Sequence, residues 1–206
     1  MESEIIEKYI NDLYSKKPFL KEEDYTSHMQ LKQYVPTVDN EAACFLRLLI
    51  RIAKPKNILE IGTSVGFSTA SMALAVKEYG GHITTIEFDK KAADQAEINF
   101  AKANVSEIIT LKRGDARYIL KDLECQYDVV FQDVDKRLYP VLLSDCIRLL
   151  NHNGILLSDD ALFPLMDLDE KWSSQIEPIR QYNELIMANP SLESILLPVG
   201  DGIMMS

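Results

Sequence analysis

The chain has 206 residues, enough for one sizeable hydrophobic core and short for two, so a single domain over residues 1–206 is expected. Its 32 acidic against 22 basic residues give a formal net charge of −10, which works against long-range attraction to nucleic-acid phosphates or anionic membranes. The three cysteines, Cys44, Cys125 and Cys146, are odd in number and lie far apart, which excludes a disulfide framework or a CxxC zinc site and leaves reduced packing residues.

The opening segment, MESEIIEKYINDLYSKK, sets Ile5, Ile6, Tyr9, Ile10, Leu13 and Tyr14 at helical spacing among charges. A helix over about residues 3–15 is expected there rather than a secretory signal. No run approaches the roughly 18 apolar residues of a membrane span, so a soluble, cytoplasmic protein is the expectation. A second helix is predicted over 39–53, capped by Asp39, with Phe45, Leu46, Leu49, Ile50 and Ala53 on one side. These helices, within residues 1–53, are expected to pack on the core that follows.

Alternation begins at residue 57. Short β-branched runs appear at NILEIG, HITTIEF, IITLKRG, YDVVFQD and GILLSDD, as expected for strands covered on both faces. Between them lie helical patterns: FSTASMALAVKEY stopped by Gly80 and Gly81, KKAADQAEINFAKAN after a capping Asp89, ARYILKDL, and LYPVLLSDCIRLLN with Pro140 in its first turn. The order predicts an α/β fold with a mostly parallel sheet and right-handed crossovers. After a loop around Phe163 to Trp172 comes a helix ended by Asn189 and Pro190. SILLPV, the turn GDG and IMMS then read as an antiparallel hairpin closing one edge of a sheet of about seven strands.

The strand tips carry the chemistry. NILEIGTSVGFST places Glu60, Gly62 and Gly66 as E-x-G-x-x-x-G, which is not the dinucleotide spacing GxGxxG. The glycines let the backbone approach a ligand and turn the next helix N-terminus towards it, and Glu60 suits an ammonium or sulfonium better than a pyrophosphate. TIEFD puts Glu87 at the next tip, where a carboxylate can accept two ribose hydroxyls, and RGDAR offers Asp115 and the backbone of Ala116 to an adenine edge. Together these describe a nucleoside with a cationic amino-acid tail, S-adenosylmethionine. Each signal also has a plain reading, a tight strand-to-helix turn for the glycines and a solvated strand end for Glu87.

Asp133 ends the fourth strand run, and Asp159 and Asp160 end the fifth. If those strands are neighbours, their tips lie about 5 Å apart and three carboxylates converge. Such crowding calls for positive charge, and oxygen-only ligands suit Mg²⁺, Ca²⁺ or Mn²⁺. The plain reading makes them caps and turn residues. Lys136, three residues after Asp133, reads as either a carboxylate partner or a base, since a metal and a sulfonium lower its pKa while carboxylates raise it. Asp135 reads as a surface or capping residue, and His28, His82 and His152 as isolated.

In that order LEIGTSVGFS, TIEFD, GDA, FQDVDKRLY, LLSDDALF and LPVGDG resemble the metal-dependent O-methyltransferases of the catechol and caffeoyl-CoA type, most clearly over residues 35–206. The resemblance implies a Rossmann-like seven-stranded methyltransferase sheet with helices on both faces, and a homodimer. It implies metal ligands at Asp133, Asp159 and Asp160, a catalytic Lys136, and donor contacts at Val38, Glu60, Gly62, Gly66, Ser68, Glu87, Asp115, Ala116 and Asp133. Four features depart from the pattern: Asp160 stands where the family has Asn, Ser64 where glycine is common, Asn153 replaces the first of two glycines, and FPLMDLDEKW lacks glycine.

The reaction expected is metal-assisted methyl transfer to one hydroxyl of a vicinal oxygen pair. A small aromatic diol is the favoured acceptor, and 5-hydroxyuridine in tRNA is the alternative offered by some bacterial relatives. A nucleotide-dependent oxidoreductase is disfavoured by the glycine spacing, and a non-catalytic donor-binding protein by Lys136 beside three carboxylates.

Overall fold

The structure is a computed structural model that describes residues 37–206 in full, a short helix α1 (Glu22–Thr26) and isolated residues between 5 and 13. The helix expected over 3–15 therefore lies largely outside the described residues, as does His28.

Helix α2 (Asn40–Ala53) starts where Asp39 accepts the main-chain N–H of Ala42 at 2.7 Å, satisfying one of the orphan donors of the first turn. Its buried face is Ala42, Ala43, Leu46, Arg47 and Ile50; Phe45 and Leu49 flank it, and Ala53, expected inside, is exposed. Then follow β1 (Asn57–Ile61), α3 (Phe67–Val76), β2 (His82–Glu87), α4 (Lys90–Lys102), β3 (Ile109–Arg113) and α5 (Ala116–Ile119). The second half holds β4 (Tyr127–Gln132), α6 (Tyr139–Leu149), β5 (Leu150–Ser158), α7 (Ser173–Met187), β6 (Ile195–Leu197) and β7 (Ile203–Met205).

The strands form one seven-stranded sheet in the order β3-β2-β1-β4-β5-β7-β6. β1 to β5 pair in parallel, and β7 is antiparallel to both β5 and β6, so the C-terminal hairpin closes one edge as expected. Strand parity sorts the core. Ile58, Ile83, Val129, Phe131 and Leu157 face α2 and α3, whereas Leu59, Ile61, Val130 and Leu156 face α6 and α7. α3 is buried almost all round because α2 covers the side turned away from the sheet. Cys44 and Cys146 are buried and free; Cys125 is free and exposed rather than packed.

Three boundaries differ from the sequence reading. α3 ends at Val76 rather than Tyr79 and leaves through a turn, and α5 is one turn that tightens into a 3₁₀ segment at Leu120–Asp122. β5 begins at Leu150 rather than Gly154: Leu150 pairs with Tyr127 before the register shifts, at a stretch where Asn153 takes φ 64. Asn tolerates that left-handed conformation better than most residues, which accounts for its standing in for a glycine.

From β1 the chain builds β2 and β3 to one side, then returns to build β4 and β5 on the other. The order reverses between β1 and β4, and in open parallel sheets the crevice at such a switch point, outside the carboxyl ends of the strands, receives ligands.

Candidate active site

At the tip of β1 the backbone turns through Gly62 at φ 100, and the carbonyl of Asp133 at the tip of β4 packs directly against it. Gly66 (φ 86) precedes the first residue of α3, and a β-carbon there would stand 2.4 Å from the ring of Phe100. Ser64 between them has φ 49, a left-handed conformation that costs a serine roughly 1 kcal/mol over a glycine.

Glu60 shares the Ile58 side of β1, so its carboxylate points beneath α3 rather than out of the strand tip. It is fully buried and accepts from Ser68 Oγ at 2.6 Å, Thr85 Oγ1 at 2.6 Å and Thr69 Oγ1. Burial pushes its carboxyl up to about 7 even though the three hydroxyls pull the other way. Glu60, Gly66 and Ser68 thus lie behind the cleft wall, as a polar bolt between β1, β2 and the start of α3.

The cleft itself has a volume of about 1600 Å³, more than the roughly 1,000 Å³ that suffices for one drug-sized ligand, and so has room for two. Val38, Gly62, Glu87, Asp115 and Ala116 line one part of it. Glu87 accepts the N–H of Ser64 at 2.8 Å and of Asp89 at 2.7 Å, one on each oxygen, which leaves lone pairs on both for a diol. Burial raises its pKa. Asp115 caps α5 through Arg117 N–H at 2.9 Å and is gripped by the Arg117 guanidinium at 2.6 Å, which depresses its pKa.

The other part is acidic. Asp133, Asp159 and Asp160 all line it, brought together because β4 and β5 are adjacent in the sheet. Lys136, 5% exposed, sits among them: Nζ donates to Asp133 Oδ1 at 2.8 Å and to Tyr139 Oη at 3.0 Å, and lies 2.6 Å from Asp160 Oδ2. Desolvation alone would lower the Lys136 pKa, but Asp133, Asp160 and Asp159 outweigh it and hold the group well above the ordinary lysine range. Asp159 is raised as well, by burial and by its two acidic neighbours, which for a carboxyl favours the neutral form, and burial pushes Asp160 up to about 6.

Counted as formal charges, three carboxylates facing one ammonium leave a surplus of two negative charges, which, after burial, is what raises the carboxyl pKa values, and Asp159 Oδ1 is buried with no hydrogen-bond partner among the described residues. In charge and donor chemistry the set fits a divalent cation bound through oxygen. As the side chains stand, however, no group of three His, Cys, Asp or Glu among the described residues is arranged to hold a metal ion; the ammonium of Lys136 lies between Asp133 and Asp160 instead.

Further residues in this region escape the sequence patterns. Tyr139, fully buried, donates to the carbonyls of Gln132 at 2.9 Å and Asp159 at 3.1 Å. Its position three after Lys136, on the same helical face, is a signal that could have found it. Gln175 of α7 accepts the Lys136 N–H at 3.2 Å, and Asp39 and Asp201 extend the acidic wall; nothing local in the sequence marks these. Asp135 caps the turn that carries Lys136, as read.

The O-methyltransferase family model matches residues 12–206. A catechol O-methyltransferase of Niastella koreensis is 30% identical over 158 residues, covering 74% of this chain and 71% of that protein. A caffeoyl-CoA O-methyltransferase of Populus kitakamiensis is 28% identical, covering 77% and 72%. The O-methyltransferase from Bacillus cereus, solved in complex with SAH, superposes with a TM-score of 0.72 at 25% identity over 89% of this chain and 94% of its own. The SAH-bound Podospora anserina methyltransferase PaMTH1 shares the fold at a TM-score of 0.87 and 22% identity over 100% and 95%. The chain therefore belongs to the O-methyltransferase family, alongside catechol and caffeoyl-CoA O-methyltransferases.

Proposed function

We propose that this protein transfers the methyl group of S-adenosylmethionine to one hydroxyl of a vicinal oxygen pair on a small aromatic acceptor. The observation that carries the reading is the pairing, in one cleft, of a glycine-turn pocket ending at Glu87 and Asp115 with the Lys136 carboxylate cluster. Glu87 holds the ribose hydroxyls, Asp115 and the backbone of Ala116 face the adenine, and Val38, Gly62 and Asp133 close on the methionine part. Glu60, Gly66 and Ser68 keep the turn in shape from beneath, so the sulfonium is presented in line with the acceptor oxygen at about 3 Å.

Asp133, Asp159 and Asp160 would hold a divalent cation, Mg²⁺ or else Mn²⁺ or Ca²⁺, which when bound supplies chelation of both acceptor oxygens and a lowered hydroxyl pKa. Lys136 Nζ is the proton acceptor. While Asp133 and Asp160 both lie on it the ammonium keeps its own proton, so it acts when those carboxylates are engaged elsewhere. As the oxygen bonds to the methyl carbon the sulfur–carbon bond breaks, the donor's positive charge disappears, and the hydroxyl proton passes to Nζ. Phe163, Leu168 and Trp172 provide apolar walls for an aromatic ring.

Asp39, Asp160 and Asp201 stand on the acceptor side, and this favours a small diol over a tRNA, whose phosphates an acidic wall repels. We further propose that it works as a homodimer in the cytoplasm. The test is a labelled-methyl assay over catechols, caffeoyl esters and hypomodified tRNA, with Mg²⁺ and with EDTA. Methylation of a diol that EDTA abolishes is the expected result. Donor binding without turnover of any acceptor overturns the reading, and full turnover in EDTA removes the metal from it.

A further inference from the structure

Lys136 donates along three directions, to Asp133, to Asp160 and to Tyr139, and these three acceptors account for all three N–H bonds of its ammonium. Two of the three are carboxylates with other work in the reaction proposed above. Tyr139 is different. Its ring is fully buried against Tyr182, with centroids 5.2 Å apart and nearly perpendicular, and Tyr182 is itself held by Ser158 at 2.5 Å. Its single proton is committed to the carbonyls of Gln132 and Asp159, at the ends of β4 and β5. The oxygen therefore has only lone pairs left to offer Lys136.

We infer that Tyr139 is a positioning residue for Lys136: a neutral acceptor, fixed to the tips of both acid-bearing strands, that holds Nζ beside the reacting oxygen while Asp133 and Asp160 are drawn onto other ligands. The inference rests on Lys136 as the proton acceptor. Gln175 fixes the same residue at its main chain, so backbone and ammonium are anchored from two separate helices, α7 and α6. Among the described residues the phenol hydroxyl is the one hydrogen-bond acceptor of Nζ that carries no charge; the Phe163 ring, 5.9 Å away, adds only a looser cation–π contact.

The test compares wild type, Y139F, K136A and the double variant, using the catechol acceptor that turns over fastest and labelled S-adenosylmethionine. Rates are expressed per donor-binding site titrated by calorimetry, so material that fails to fold drops out of the comparison. Y139F is expected to lower kcat by about 10- to 100-fold, as a misplaced catalytic group does, with donor Kd and acceptor KM within about twofold of wild type. On the K136A background the same change should cost less than about twofold, because there is no ammonium left to place. An equal loss on both backgrounds, or a Y139F enzyme at wild-type kcat, overturns the inference and leaves Lys136 untouched. A K136A enzyme at full rate overturns the assignment of Lys136 itself, and the positioning role with it.

Discussion

The carbonyl oxygen of Asp133 lies where a β-carbon on Gly62 would have to stand, 1.8 Å from it. The contact joins the β1 and β4 tips at the switch point, and it requires glycine on two counts, space and a φ of 100. Gly62→Ala should cost at least about 2 kcal/mol and open the donor pocket. Thermal unfolding and donor titration check this; a variant that melts with wild type and binds donor equally well would show that the tips part easily.

Glu60 makes native stability depend on pH. Its carboxyl titrates near 4.5 when the chain is unfolded and near 7 when buried, so between those values the native state binds more protons. Stability attributable to this group falls as pH rises through that window, and the penalty is complete above about 7; at about 1.4 kcal/mol per unit it reaches about 3 kcal/mol. Glu60→Gln, which has no proton to lose, should flatten the profile between about pH 5 and pH 7. Parallel curves for the two proteins would mean that the three hydroxyls fully compensate the buried charge.

Asp160 is one of the carboxylates that hold the Lys136 pKa up. Asp160→Asn removes that pull, so in the absence of added cation the Lys136 amine, followed by NMR, should titrate at lower pH than in wild type. An unchanged titration would mean that Asp160 does not govern the ammonium.

The acidic wall should sort acceptors by charge. Asp201 is raised in pKa by burial and by Asp39, a sign that nothing cationic nearby neutralises it fully. A catechol carrying an ammonium side chain should show a KM several-fold below that of its carboxylate analogue, and Asp201→Asn should narrow the ratio by about threefold to fivefold, the worth of one partly screened charge. Equal KM values for the two acceptors would show that their side chains never reach Asp201.

The order of the elements was legible because each parallel strand is covered on both faces and so reads as a short apolar run. The edge hairpin was legible from GDG. What the reading missed follows from parity and from long-range contact. Glu60 sits two residues from Ile58 and shares its face, so alternation alone places it under α3, whereas the glycine motif beside it points to the strand tip. Ser64 and Asn153, noted as departures from glycine, both take positive φ, so the backbone kept the turn while the residue changed. The three aspartates were found because they end adjacent strands. That Lys136 rests against both Asp133 and Asp160 depends on side-chain distances, and the contribution of Gln175 on where α7 docks, neither of which a local pattern encodes.

The hydrogen bond from Ser64 to Glu87 ties the loop after β1 to the tip of β2 before any nucleoside arrives. The two ends of the proposed donor pocket are thus one mechanical unit, and a ligand touching either end finds the other already in register. Less ordering entropy is then spent on docking, and a change to Ser64 or Glu87 should be felt along the whole length of the bound donor.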